Sequence, residues 1–257
     1  MLNFIAQQRS CREEEIMMPG YEDYIYPLGE GVTALVIMAT DHEYGAHLKA
    51  IGIKPLITGV GPVQAAIELT YALSALNHAS QPFRPDVIIN LGSAGSGTLA
   101  QGAVYRVSQS AYRDMDASAF GFPKGQTPFS PHPATIEAAA IMPGFPSASC
   151  STGANVVGDH TATGADMAEM EYSALNDVAM KFGIPLIGFK GISDGERPLT
   201  GELTEWTELL PVIDKNLADA VTDLKTRLRQ GEITKEDLIR MPSHWKPEYG
   251  LQSNGRR

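Results

Sequence analysis

Pro85-Asp-Val-Ile-Ile-Asn-Leu91, running into Gly92-Ser-Ala-Gly95, is the stretch on which the fold is read. Its apolar residues are nearly continuous rather than alternating with polar ones. A strand with one wet face would alternate, so this one is predicted to be buried on both faces, as in a parallel sheet covered by helices. The small residues 92–95 predict a turn where another group can approach the backbone closely.

Similar buried strands are predicted over 32–38 and 186–192, with shorter ones over 54–60, 104–108 and 147–151. Helical spacing fills the gaps. Helices are expected over 41–50, with Asp41 as cap, over 63–76, with Pro62 at the first position, over 134–140 and over 166–181. A last amphipathic helix, 203–228, is expected to break or kink at Pro211, and a short one is expected over 235–240. Residues 114–131 are rich in Phe, Gly and Pro without a steady period and read as a long functional loop. Strands alternating with helices give an α/β class with a mostly parallel sheet. The chain divides into an N-terminal extension (1–30), a single domain (31–230) and a C-terminal tail (231–257).

Composition narrows the function. Of 257 residues, Lys plus Arg number 20 and Asp plus Glu 30, giving a net charge of −10. A surface that tracks phosphates needs the opposite balance, so nucleic acid is not an expected partner. Cys11 and Cys150 are too few for a disulfide framework and have no metal-ligand spacing. No run approaches the roughly 18 apolar residues of a membrane span, and the first residues lack a signal peptide's apolar stretch. A soluble cytoplasmic protein is the expectation.

In this class, ligands gather at the carboxyl ends of strands. That rule selects residues 41–43, 59–61, 92–95 and 193–194. Glu43 and Asp194 stand at two of these places, and Glu169 and Glu171 near a helix start. Each carboxylate also has a plain structural reading, because the macrodipole favours acids in a first helical turn. Gly59-Val-Gly61 could bind an anion but is more often a tight turn. His42 and His47, five apart, would point roughly 140° from each other on one helix, which does not suit a shared metal. No nucleophile elbow or Walker loop is present.

Four segments together resemble one family: residues 85–95, Asp114-Met-Asp-Ala-Ser-Ala-Phe-Gly121 with Gly125-Gln126, Glu169-Met-Glu171, and Gly191-Ile-Ser-Asp194. The chain from 32 to 228 is similar to the 5′-methylthioadenosine/S-adenosylhomocysteine nucleosidases of the nucleoside phosphorylase/nucleosidase superfamily. The resemblance implies a three-layer α/β/α sandwich around a twisted mixed sheet. It also implies a homodimer, a small nucleoside substrate, and no cofactor or metal. By position, Asp194 corresponds to the general acid that protonates the purine leaving group and Glu43 to the glutamate that activates water. Glu171 and Met170 correspond to the ribose site, with Ser93, Ala94 and Gly95 lining it. Asn155, Val156, Val157 and Ser193 correspond to the purine site. Ala117, Phe120 and Pro128 correspond to the loop that a partner subunit lends to the 5′-group pocket. Where the family usually has an aromatic residue this chain has Val156. Lys190 replaces a common arginine, and Arg113 a common histidine.

The chemistry accounts for these residue types. Cleaving a ribosyl–nitrogen bond builds positive charge on the sugar and negative charge on the base. One carboxyl must protonate the base and another must deprotonate water, the logic of inverting glycosidases. Three rivals share the pattern: a purine nucleoside phosphorylase, a nucleosidase for another purine nucleoside, and a non-catalytic nucleoside-binding protein. The phosphorylase needs an anion site. At the 92–95 strand end the sequence offers no arginine for one, and Glu43 would repel phosphate there.

Overall fold

A computed structural model of the chain describes residues 20–79, 81–139, 142–158, 160, 163–195 and 200–251. The centre is a nine-stranded mixed sheet. Strand β1 (Ile25–Gly29) runs antiparallel to β2 (Val32–Met38), which is parallel to β3 (Leu56–Ile57) and to β4 (Val87–Gly95). On its other side β4 is parallel to β9 (Leu186–Asp194), and β9 is antiparallel to β5 (Val104–Tyr112). Strand β5 carries β6 (Thr135–Glu137) antiparallel and β7 (Ser147–Thr152) parallel. Finally β8 (Met167–Glu169) lies parallel to β7 and touches β4 where Ala168 meets Gly95. Strands β4, β9, β5, β7 and β8 thus close into a ring.

Alternate residues of the buried strands feed two cores. One face of β2, β4 and β9 (Val36, Ile89, Phe189) packs on Leu48 of α1 (Ala46–Ala50) and on Leu217, Val221 and Leu224 of α5 (Leu210–Gln230). The other face (Leu35, Ile88, Leu186) packs on Leu69 and Leu73 of α2 (Pro62–His78) and Leu175 of α3 (Tyr172–Phe182). Each fully buried Leu or Ile contributes roughly 1.5–3 kcal/mol, so both faces of the sheet must be covered for the fold to hold. This is the expected α/β/α sandwich.

Several elements differ from the sequence reading. Residues 92–95 are not a turn: they extend β4, pairing with Lys190, Gly191, Ile192 and Asp194. Their smallness serves close approach instead, since a Cβ on Gly92 would lie 3.3 Å from the Glu43 carboxylate oxygens. The helix expected over 134–140 is replaced by β6, whose exposed–buried–exposed pattern pairs with Gln109, Ser110 and Ala111. Ala140 itself lies outside the described residues. The helix expected from 166 begins only at Tyr172, because 167–169 are drawn into the sheet as β8 and the Glu169 carboxylate takes the N–H groups of Glu171 and Tyr172. The last long helix is divided into α4 (Thr204–Thr207) and α5, with Pro211 in the first turn of α5.

Near residue 41 the expected helix is also divided. Asp41–Glu43 form a 3-10 turn capped by Thr40 rather than by Asp41. The start of α1 is capped from far along the chain: buried Asp214 of α5 accepts from the backbone N–H groups of Gly45, His47 and Leu48. The expected strand over 54–60 is only β3, two residues long. Residues 114–131 contain a single 3-10 turn, Ser118–Phe120. Within the expected extension, residues 25–29 form β1; Cys11 lies outside the described residues. Within the expected tail, Ile233 and Leu238 join the core, the latter on α6 (Lys235–Leu238). No helix of the described residues is long and apolar enough to cross a membrane.

Candidate active site

Because β2, β4 and β9 are parallel, their carboxyl ends meet on one side of the sheet, where a cavity of about 530 Å³ opens. That volume suits a nucleoside-sized ligand. Glu43 reaches it from the turn after β2, Ser93, Ala94 and Gly95 from β4, and Ser193 and Asp194 from β9. Met170 and Glu171 reach it from the junction of β8 and α3, and Asn155, Val156 and Val157 from the loop after β7. Those eleven sequence-selected residues share one cavity. Ala117, Phe120 and Pro128 do not line it.

Glu43 is buried, and its Oε1 accepts from both the backbone N–H and the hydroxyl of Ser93, each at 2.6 Å. Trp206 Nε1–H donates to the same Ser93 oxygen at 2.8 Å, which commits the serine proton to Glu43. Glu43 Oε2 has no hydrogen-bonding partner among the described residues. Burial pushes the Glu43 carboxyl above its ordinary value, against the pull of Lys190 and the Ser93 hydrogen bonds. A carboxylate with one oxygen anchored and the other free in a cavity is placed to accept a proton from a small nucleophile.

Opposite partners serve Asp194. Ser193 Oγ–H donates to Asp194 Oδ1 at 2.5 Å, and His160 Nε2 stands 4.0 Å from Oδ2. Glu171 begins α3, and its Oε1 accepts from Gly61 N–H at 2.8 Å. Burial, then the negative charge of Glu169, push the Glu171 carboxyl up to about 7. The Gly59-Val-Gly61 turn therefore binds an anion after all, but the anion is a side chain of the protein.

Behind the cavity lies a buried ion pair. Lys190 Nζ sits 3.1 Å from Glu169 Oε2, and Thr152 Oγ1–H donates to Glu169 Oε1 at 2.5 Å. Burial alone would lower the Lys190 pKa, but Glu169, Glu171 and Glu43 together hold it above its ordinary value. Glu169 is thus a structural anchor, and the free carboxylates belong to Glu43, Glu171 and Asp194.

Among the lining residues that sequence reasoning missed are Thr40, Arg113, His160, Leu203 and Trp206. Arg113 brings an arginine into the cavity wall from the end of β5, not from the 92–95 strand end. Its two terminal nitrogens donate to the carbonyls of Ser151, Glu169, Gly153 and Asn155, while Nε–H has no partner among the described residues. The departure at Arg113 from the family's histidine was a signal that could have placed it. His160 and Trp206 stand in segments without periodicity or motif, and nothing in the sequence marks them.

Comparisons with known proteins give the family and the fold. The model of the Phosphorylase superfamily matches residues 49–143. A 5′-methylthioadenosine/S-adenosylhomocysteine nucleosidase of Actinobacillus succinogenes is 30% identical over 227 residues, 77% of this chain and 94% of that one. Its counterpart in an Exiguobacterium species is 27% identical, over 75% of this chain and 88% of the relative. The crystal structure of the Colwellia psychrerythraea nucleosidase, in complex with adenine, superposes with a TM-score of 0.60 at 21% identity, covering 76% of this chain and 95% of that one. With a relative of that identity matched over nearly its whole length, and with the fold shared, this chain belongs to the 5′-methylthioadenosine/S-adenosylhomocysteine nucleosidase family.

Proposed function

We propose that this protein hydrolyses the N-glycosidic bond of 5′-substituted adenosines, methylthioadenosine and S-adenosylhomocysteine among them, releasing adenine and the 5′-substituted ribose. One observation carries the reading: Glu43 and Asp194 open into the same cavity from the ends of β2 and β9, on either side of β4, each anchored through one oxygen by a serine. Asp194 gives a proton to the purine as the bond between the sugar and N9 breaks with its electron pair going to the base. Glu43 Oε2 takes a proton from the water that attacks the sugar carbon. Glu171 grips the ribose hydroxyls with Met170 against the sugar, and Ser93, Ala94 and Gly95 line the ribose and water site. Asn155, Val156, Val157 and Ser193 hold the purine.

Hydrolysis is favoured over phosphorolysis because both terminal nitrogens of Arg113 are engaged by carbonyls and Glu43 faces the place where phosphate would bind. The enzyme is expected to act as a cytoplasmic homodimer, with the partner subunit's Ala117, Phe120 and Pro128 closing the 5′-group pocket.

Adenine release from a panel of 5′-substituted adenosines, with and without phosphate, tests the reading. Turnover independent of phosphate is expected. Asp194→Asn and Glu43→Gln should each lower kcat by about 10² or more, equivalent to about 3 kcal/mol, while a substrate analogue still binds. Turnover that requires phosphate, or either variant within a few-fold of wild type, would overturn the corresponding assignment.

A further inference from the structure

His160 is buried in the cavity wall, 8% exposed, and neither ring nitrogen has a hydrogen-bonding partner among the described residues. Leaving a buried polar group unpaired is costly, so such a ring is a poor choice for filling space. Its position is closely specified. A Cβ on Gly95 would lie 2.5 Å from ring atom Cε1, and one on Gly195 would lie 2.6 Å from Nε2. The ring occupies a slot that exists only because both residues are glycine. Gly195 has φ of +105°, a region that also favours glycine. The slot brings Nε2 to 4.0 Å from Asp194 Oδ2, within reach of a small rotation of either side chain. No other carboxylate among the described residues comes within ion-pair distance of this ring. Among the described residues, the other charged groups lining the cavity are Glu43, Glu169, Glu171 and Arg113 on the strand side, with Glu202 before α4 and Glu205 within it.

We infer that His160 is the proton-delivering partner of Asp194. The inference rests on the reading of Asp194 as the acid. The Nε2–H bond of His160, as the imidazolium, breaks as an O–H bond forms on the Asp194 carboxylate, and that O–H bond breaks as an N–H bond forms on the purine. The water proton goes to Glu43, so the protein ends with one proton more on Glu43 and one fewer on His160, and exchange with solvent restores both. His160 acts through Asp194 and is a positioning residue. The proton delivered to the purine then depends on the pair and not on the Asp194 carboxyl alone, so loss of the ring is read in the pH profile.

The test is the pH profile of kcat in His160→Gln and His160→Phe. Both should lower kcat about tenfold at neutral pH with KM within about threefold, and both should move the alkaline limb toward lower pH by about one unit. In the Asp194→Asn background, His160→Gln should cost nothing further. A ring that only fills the slot would be rescued by phenylalanine with the limb unmoved, and that outcome would overturn the relay alone. An active Asp194→Asn variant would overturn the acid assignment and the relay with it. A readout independent of turnover is the ¹⁵N signal of His160 Nε2, which should move in the Asp194→Asn protein; a signal that stays in place would overturn the pairing.

Discussion

On the strand side of the cavity, Ser93 and Asp194 stand on β4 and β9, which pair residue by residue from Ile88 and Leu186 to Ala94 and Ile192, with a shift of register at Ser193 before Gly95 meets Asp194. On the loop side, Val156 and Leu203 stand on unpaired segments and are 69% and 68% exposed. The difference separates two tasks. Groups that transfer protons must be held within a few tenths of an ångström, and a sheet buried on both faces supplies that. Groups that choose among substrates need only complement a shape, and loops can vary without disturbing the sheet. The carboxylates on the strand side have anchored oxygens, and Lys190 lies behind them as a counter-charge.

Removing that counter-charge is the severest way to break the strand side. Lys190→Met would leave Glu169 buried and unpaired, with Glu171 and Glu43 close by. Breaking a buried pair in this way costs about 3–5 kcal/mol. Urea unfolding should show a loss of that size, and Lys190→Arg, which keeps the charge, should lose less. A methionine variant as stable as wild type would mean that the carboxylates are not ionised together, and the ion-pair account would fail.

A second probe uses pH. The Glu171 carboxyl is pushed up to about 7 from an ordinary value of 4.5, by burial first and the Glu169 charge next. The folded state therefore holds this proton more tightly than the unfolded chain does. The resulting stabilisation is fully present below about 4.5 and is lost as pH rises through about 7, a swing of up to about 3 kcal/mol. Glu171→Gln removes the swing. Relative to wild type, the glutamine variant should gain stability between about pH 5 and pH 8, measured by urea midpoints at each. A constant difference across that range would show that Glu171 does not ionise within it.

The same division governs what could be read from the sequence. Strand β2 was legible to the residue, because a buried strand between helices must be apolar throughout. The carboxyl-end rule then pointed to Glu43 and Asp194 before any family was considered. Residues 92–95 were misread because smallness signals both turns and close packing. Only the extended pairing of β4 with β9 decides between them. Glu169 was legible in part: its place at a helix start anticipates the capping of α3, but its neutralising of Lys190 is a contact made across the fold. His160 depends on a slot formed by two glycines about 100 residues apart, a relation that no local pattern carries.

The smallest effect on the fold is expected at the long loop, where Phe120 and Phe129 are 84% and 93% exposed. They do not fold back onto the core. Phe129 meets only an edge of Phe122, at 5.3 Å between ring centres, and holds φ at +62°, a costly conformation for so bulky a residue. Exposed aromatic surface in a strained loop fits a segment that is covered by a second copy of the chain, where an isologous contact would let each subunit complete the other's pocket. Phe120→Asp should therefore leave the unfolding free energy of the isolated subunit within about 0.5 kcal/mol, since the side chain touches little of its own subunit. It should weaken self-association and lower kcat/KM through the unfinished 5′-group pocket, with a greater loss for substrates with large 5′-groups than for 5′-deoxyadenosine. Light scattering over a micromolar dilution series, run beside the kinetics, reads both. A wild-type monomer with full activity at those concentrations would exclude the shared pocket. The strand side would be untouched by that result, because none of its anchoring contacts passes through the loop.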